Sequence, residues 1–212
     1  MNLVLYIHGM GGGGDSRIPR LLSEHFRGTD IRVVVRTYSF NPEEGAAQIA
    51  SWVEELHPGL IIGESLGAIQ ALRVGGLPHL FVSPSLGAPA LLYKLRVVSR
   101  FAIGRWYLHR LFRPKEGDRQ ALLFTPEVLG KYPAHWEAAQ AQARKDLAAG
   151  LPFFAFFGTK DHYKKSGVVQ LPLWREFFGD TYQEYEGTHF MEEEYVQSLL
   201  VPKIREMLAL QK

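Results

Sequence analysis

The sequence has no cysteine, which removes disulfides, thiolate metal sites and a cysteine nucleophile at once. No apolar run approaches the roughly 20 residues needed to span a bilayer. Asn2–Ile7 is apolar but too short for a secretory signal core, and no basic segment precedes it. It reads as a structural strand, and the chain as cytoplasmic. An excess of one charge is also missing. With 24 Lys and Arg against 22 Asp and Glu, a net +2 gives no indication of nucleic acid as a partner. Acid is absent from one long segment, since Ser65 to Lys115 contains no Asp or Glu. Repeats and low-complexity tracts are lacking apart from the glycine run Gly11–Gly14. What remains is an ordinary globular composition of 46% hydrophobic and 22% charged residues. The 212 residues suffice for one core with an insertion.

Strand and helix patterns alternate along the first third. Leu3–Ile7, Arg32–Tyr38, Leu60–Ile62 and Leu80–Val82 are short and apolar, as parallel strands buried on both faces should be. Between them lie helix patterns at Ile18–Phe26, Glu43–Leu56 and Ser65–Val74. Asn41-Pro42 supplies cap and first-turn chemistry for the second, and Gly75-Gly76 stops the third. The alternation returns as a strand at Phe153–Phe157, a helix at Leu173–Phe178 and a strand at Thr181–Tyr185. A last helix runs from Met191 to Leu210, with Pro202 a break or kink. This predicts an α/β fold with about six mostly parallel strands and helices on both faces. Residues 85–150 depart from the rhythm. Leu91, Leu95, Val98, Ala102 and Trp106 recur at helical spacing with Gly104 as a break, and Ala134–Ala149 reads as a helix between Pro133 and Gly150. They predict a helical cap inserted into a core of residues 1–84 and 151–212.

Gly63-Glu64-Ser65-Leu66-Gly67 follows a strand and opens a helix. A nucleophilic serine needs that context: a sharp strand-to-helix turn lifts its hydroxyl clear, and glycines two residues to either side allow close backbone approach. An ordinary glycine-flanked turn would carry the same pentapeptide, so the rest of the chain has to decide. Tyr6-Ile7-His8-Gly9-Met10 ends the first strand and enters the glycine run. In these two motifs the sequence resembles the α/β-hydrolase family, and compact bacterial serine esterases and lipases within it. The resemblance implies Ser65 as nucleophile, with the N–H groups of Leu66 and Met10 as an oxyanion hole. It also implies an acid and then a histidine downstream, each leaving a strand. Asp161 follows Phe153–Phe157, and His189 follows Thr181–Tyr185. His8 reads as structural. His162 adjoins Asp161 too closely to be oriented by it, and Asp146 reads as a solvated carboxylate on a cap helix. The implied reaction cleaves a small-molecule carboxylic ester or thioester and requires no metal or cofactor.

Gly9–Gly14 also satisfies the dinucleotide-binding pattern G-x-G-x-x-G, with Arg36 ready to meet a 2′-phosphate. No acidic residue ends Arg32–Tyr38, however, and the preceding His8 is unexplained. Non-hydrolytic chemistry of the lyase or haloperoxidase type, or a non-catalytic binding module, would suit the same fold. The acid-free segment carries Arg73, Lys94, Arg96, Arg100, Arg105, Arg110, Arg113 and Lys115, interleaved with Phe101, Trp106, Tyr107 and Phe112. Three readings follow. The first is a substrate pocket lined by Phe101, Trp106 and Tyr107, and the second is peripheral contact with anionic lipid. The third is a solvated basic face paired with Glu184, Glu186 and Glu192–Glu194. Oligomeric state is not encoded in any of these features.

Overall fold

A computed structural model describes residues 2–112 and 116–210. Arg113 and Lys115 of the basic segment lie outside the described residues. Six strands form one sheet: β1 (Asn2–Ile7), β2 (Ile31–Val35), β3 (Leu60–Glu64), β4 (His79–Val82), β5 (Phe153–Gly158) and β6 (Tyr182–Tyr185). Their order is β2-β1-β3-β4-β5-β6, and every neighbouring pair is parallel. A wholly parallel sheet brings all its strand ends of one polarity to a single edge, where its loops gather.

Successive side chains of a strand point to opposite faces, and both faces here are covered. Leu5, Ile7, Ile61, Phe81 and Phe157 belong to one buried cluster, while Val4, Tyr6, Leu60, Ile62 and Val82 belong to the other. The first face takes α2 (Pro42–Leu56), α3 (Gly67–Ala71) and α7 (Leu171–Phe178). The second takes α1 (Arg17–His25), α8 (Glu193–Tyr195) and α9 (Val201–Ala209). At the start of α2, Asn41 accepts a hydrogen bond from the Glu43 N–H and Pro42 occupies the first turn, as expected.

Several boundaries differ from the sequence expectation, each for a physical reason. β2 stops at Val35 rather than Tyr38, because the following side chains turn to polar partners across the loop edge. Thr37 Oγ1 accepts from Gly14 N–H, and Tyr38 Oη donates to His8 O. Between β4 and β5 lie α4 (Ala88–Ser99), α5 (Ala102–Phe112) and α6 (Pro126–Ala148). The break between α4 and α5 falls at Arg100-Phe101 and not at Gly104. A Cβ on Gly104 would sit 2.1 Å from Val98 O, so this glycine lets the two helices touch. α6 begins at Pro126, eight residues before the expected start. Pro133 lies inside it, where it lacks an N–H and ordinarily disrupts a helix. Val128, Leu129, Tyr132, His135 and Ala139 nonetheless keep a continuous buried stripe, so tertiary packing holds the helix across the proline. Near the C-terminus, Val196–Leu200 is a π-helical turn between α8 and α9. It widens the helix next to Pro202, which has no N–H to bond.

Candidate active site

Ser65 stands at the turn from β3 into α3 with φ = 50°, a left-handed conformation that serine adopts only under constraint. Its N–H donates to Val82 O, and its carbonyl accepts from Ala68 and Ser85 N–H groups, so three tethers hold that conformation. The flanking glycines are required by space. A Cβ on Gly67 would lie 2.3 Å from His8 O, and one on Gly63 would lie 2.8 Å from Ala68 Cα. The tightness of the turn therefore depends on both.

The loops leaving β5 and β6 bring two more side chains to the same edge. His189 Nε2 lies 2.8 Å from Ser65 Oγ, and His189 Nδ1 lies 2.7 Å from Asp161 Oδ2. Both Asp161 and His189 are buried. Asp161 Oδ1 accepts from Tyr163 N–H, capping the 3₁₀ turn His162–Lys164. One carboxylate thus fills two positions, a cap through Oδ1 and a partner of the histidine through Oδ2. The hydrogen arrangement that satisfies every atom places H on Nδ1, donated to Asp161. Nε2 then accepts from Ser65 Oγ–H.

Met10 and Leu66 both line the cavity at this serine. Among the described residues neither backbone N–H finds an acceptor within the protein. The glycine run behaves differently. Gly11 N–H donates to Gln120 Oε1, Gly12 N–H to Gly9 O, Gly13 N–H to Ser16 Oγ and Gly14 N–H to Thr37 Oγ1. Four amides needed to cradle a pyrophosphate are thus committed to protein acceptors, which argues against the dinucleotide reading. The run is glycine-rich because residues 118–120 press against it: a Cβ on Gly13 would meet Asp118 O at 1.7 Å. His8 is fully buried against Tyr38, its Nδ1 2.8 Å from Gly9 O, and burial lowers its pKa to about 4. It is neutral near pH 7 and braces the loop.

Two neighbours were missed from sequence. Ser85 Oγ lies 3.1 Å from Ser65 Oγ and is buried. Since Ser65 gives its own proton to His189, Ser85 is the donor in that contact. No motif marks Ser85, because only the sheet register brings the end of β4 beside the turn after β3. Glu64 lines the cavity and accepts from Tyr6 Oη at 3.0 Å; burial raises its carboxyl pKa. Asp146 is also corrected. It is buried rather than solvated, and its Oδ1 accepts from Gly76 N–H and Gln142 Nε2.

A cavity of about 740 Å³ opens on Ser65 and His189. Its volume falls in the range of small-molecule sites. Leu91, Leu92 and Leu95 of α4, with Phe112 and Val168, form an apolar wall facing this polar end. Phe101, Trp106 and Tyr107 are not in that wall. They are exposed on α4–α5, so the expected aromatic lining is replaced by α4 leucines and Phe112. Among the described residues none of the acids expected to neutralise the basic segment forms an ion pair with it: Glu184 holds Lys164, Glu186 holds Lys160, Glu192 accepts from Thr188 and Glu193 accepts from Gln197. Among the described residues no cluster of three or more His, Asp or Glu side chains is disposed to hold a metal ion. Likewise, no helix there is long and apolar enough to cross a membrane.

The family model described as "Alpha/beta hydrolase family" matches residues 4–199. No curated protein matches the chain. Among solved structures, Est1E from Butyrivibrio proteoclasticus with ferulic acid bound superposes with a TM-score of 0.66 at 12% identity, covering 99% of this chain and 90% of that one. A study of carboxylesterases of Nitrososphaera gargenis supplies a second, at TM-score 0.57 and 15% identity, covering 100% and 92%. The type II thioesterase BorB from the borrelidin biosynthetic cluster is a third, at 0.53 and 14%, covering 98% and 92%. The likeness to these three is one of fold.

Proposed function

The chain belongs to the alpha/beta hydrolase family, and from that premise we propose that it is a serine hydrolase cleaving small carboxylic esters or thioesters. One observation carries the reading: the unbroken hydrogen-bonded series Ser65 Oγ–His189 Nε2 and His189 Nδ1–Asp161 Oδ2. Serine is a weak nucleophile until a base takes its proton, and the base needs an acid to fix its orientation. Ser65 Oγ attacks the substrate carbonyl carbon as its proton passes to His189 Nε2. The bond to the leaving alkoxide or thiolate then breaks, and His189 returns the proton to it. Water attacks the acyl-serine by the same route in reverse, releasing the carboxylic acid and restoring Ser65. Asp161 steadies the imidazolium throughout. The Met10 and Leu66 N–H groups receive the charge that develops on the carbonyl oxygen.

The segment 85–150 acts as a cap over this centre. Its α4 leucines and Phe112 accept the acyl portion of the substrate, and the polar end of the cavity receives the scissile carbonyl. Every step uses groups of the chain itself.

The test is labelling by a fluorophosphonate probe, with Ser65→Ala and His189→Ala alongside. Stoichiometric labelling of the wild type that disappears in both variants supports the reading. A wild type that stays unlabelled at neutral pH overturns it.

A further inference from the structure

A surface helix normally turns its apolar stripe toward the core. In α5 the stripe points the other way. Ile103, Trp106, Tyr107 and Leu111 recur at i, i+3, i+4 and i+8, one side of the helix, and are 77%, 62%, 57% and 58% exposed. Only Gly104 and Leu108 of this helix are buried. Phe101 in the connection, and Val97 and Val98 at the end of α4, extend the same exposed surface through the close contact at Gly104. Monomeric proteins seldom leave an apolar patch of this kind uncovered without a use for it.

Charge identifies what covers it. The helical pair 88–112 carries Lys94, Arg96, Arg100, Arg105 and Arg110 and no acid. Arg96 stacks on Tyr93, and Arg105 donates to the carbonyls of Ser99 and Arg100. Among the described residues, Lys94, Arg100 and Arg110 form no ion pair. Two of the acids expected to answer them, Glu186 and Glu184, hold Lys160 and Lys164 instead. Unanswered cations interleaved with Trp, Tyr and Phe on the outer side of a helix match the chemistry of an anionic lipid interface. There the rings sit at headgroup depth and the guanidinium groups meet phosphates. Leu91 joins this surface to the site, being itself exposed and lining the Ser65 cavity.

We propose that the outer face of α4–α5 docks on an anionic phospholipid bilayer. Under the hydrolase reading, on which only this consequence rests, an acyl substrate dissolved in the bilayer then enters past Leu91 without crossing bulk water.

The experiment is co-sedimentation of the full chain with phosphatidylcholine vesicles, with and without one-third phosphatidylglycerol. Ile103→Glu/Trp106→Glu and Arg100→Gln/Arg110→Gln variants run alongside. Binding to the anionic vesicles is expected, weakened about 30-fold by loss of the two arginines. It should also be abolished by the two glutamates and largely lost near 1 M salt, where screening falls to about 3 Å. Fluorophosphonate labelling without lipid stays at the wild-type level in every variant, which shows that the variants are folded. Vesicle binding without labelling would sink the hydrolase reading and leave the docking face standing. Labelling without vesicle binding overturns the docking face. A lipid-free dimer that the glutamate variant splits, with no vesicle binding, also overturns it and makes the face a contact between two copies.

Discussion

The strand-end edge of the sheet and the α4–α5 pair treat the same residue types in opposite ways. At the edge, polar groups are buried and almost every one has a named partner. Asp161 holds Tyr163 and His189, His189 holds Ser65, and Ser65 meets Ser85. On α4–α5, large apolar side chains are exposed and cations stand without acids. The first arrangement fixes atoms to a few tenths of an ångström, which reaction geometry demands. The second leaves side chains unconstrained, which suits a surface meant to meet something deformable. Substitutions at the edge should therefore act through chemistry and folding, whereas those on the exposed outer face of α5 should alter neither.

The largest separation is expected for Ser65→Ala and Asp161→Asn. Steady-state hydrolysis of a p-nitrophenyl ester should fall by about 10⁴-fold or more, with the urea midpoint near that of the wild type. Equal activity in Asp161→Asn would detach the carboxylate from the chemistry and leave it a helix cap. Next is Gly67→Ala, whose Cβ would intrude on the His8 carbonyl. Loss of more than about 4 kcal/mol, or no folded protein at all, is the expected outcome by chemical denaturation.

Acid provides a third comparison. His8 and His135 are buried and each has its pKa lowered to about 4 by burial, from the ordinary 6.5. Between those values the unfolded chain binds protons that the folded chain refuses. Stability present above pH 6.5 is thus lost as pH falls toward 4, by at most about 3 kcal/mol for each residue. Glu64 works in the other direction: its raised pKa makes the folded carboxyl bind a proton first, which favours the fold as pH drops. Urea titrations across this window should show a net decline, and His8→Gln should flatten it. An unchanged slope in that variant would remove His8 from the account.

Smaller still is Ser85→Ala. Removing the hydroxyl that donates to Ser65 Oγ should lower ester turnover by about 10-fold, the worth of one hydrogen bond, while fluorophosphonate labelling persists. An unaltered rate would make the contact incidental. The smallest effect belongs to α5, where Ile103→Ser should shift stability by less than about 0.5 kcal/mol. A larger loss would mean the side chain is packed in solution.

The parts legible in sequence were those governed by local pattern. Strands β1 and β3 to β5 follow from short apolar runs, and Asn41-Pro42 marked the start of α2 through cap chemistry. Ser65, Asp161 and His189, which lie in turn within hydrogen-bonding distance of one another, were legible through the resemblance, whose residue order points to the strand ends where they stand. Three features escaped because their causes lie far away in sequence. Gly104 looked like a helix break, since a glycine that admits a neighbouring helix is indistinguishable from one that ends its own. Pro133 looked like a boundary, although buried contacts on both sides hold α6 through it. Ser85 carried no signal, because a serine after a strand acquires meaning only when sheet register sets it against another. The helical spacing from Leu91 to Trp106 was visible, but it shares only Trp106 with the exposed stripe of α5, and spacing does not show which way a side chain faces.

The pairing of β4 with β5 joins Val82 to Phe156 across the whole of α4, α5 and α6. Closing so long an excursion is among the slower events available to a folding chain, since its entropy is surrendered before its contacts form. Asp161 and His189 both lie beyond that closure. The time at which a refolding sample first accepts a fluorophosphonate should therefore lag behind the appearance of helix, so that labelling at Ser65 would keep time for the last stage of folding.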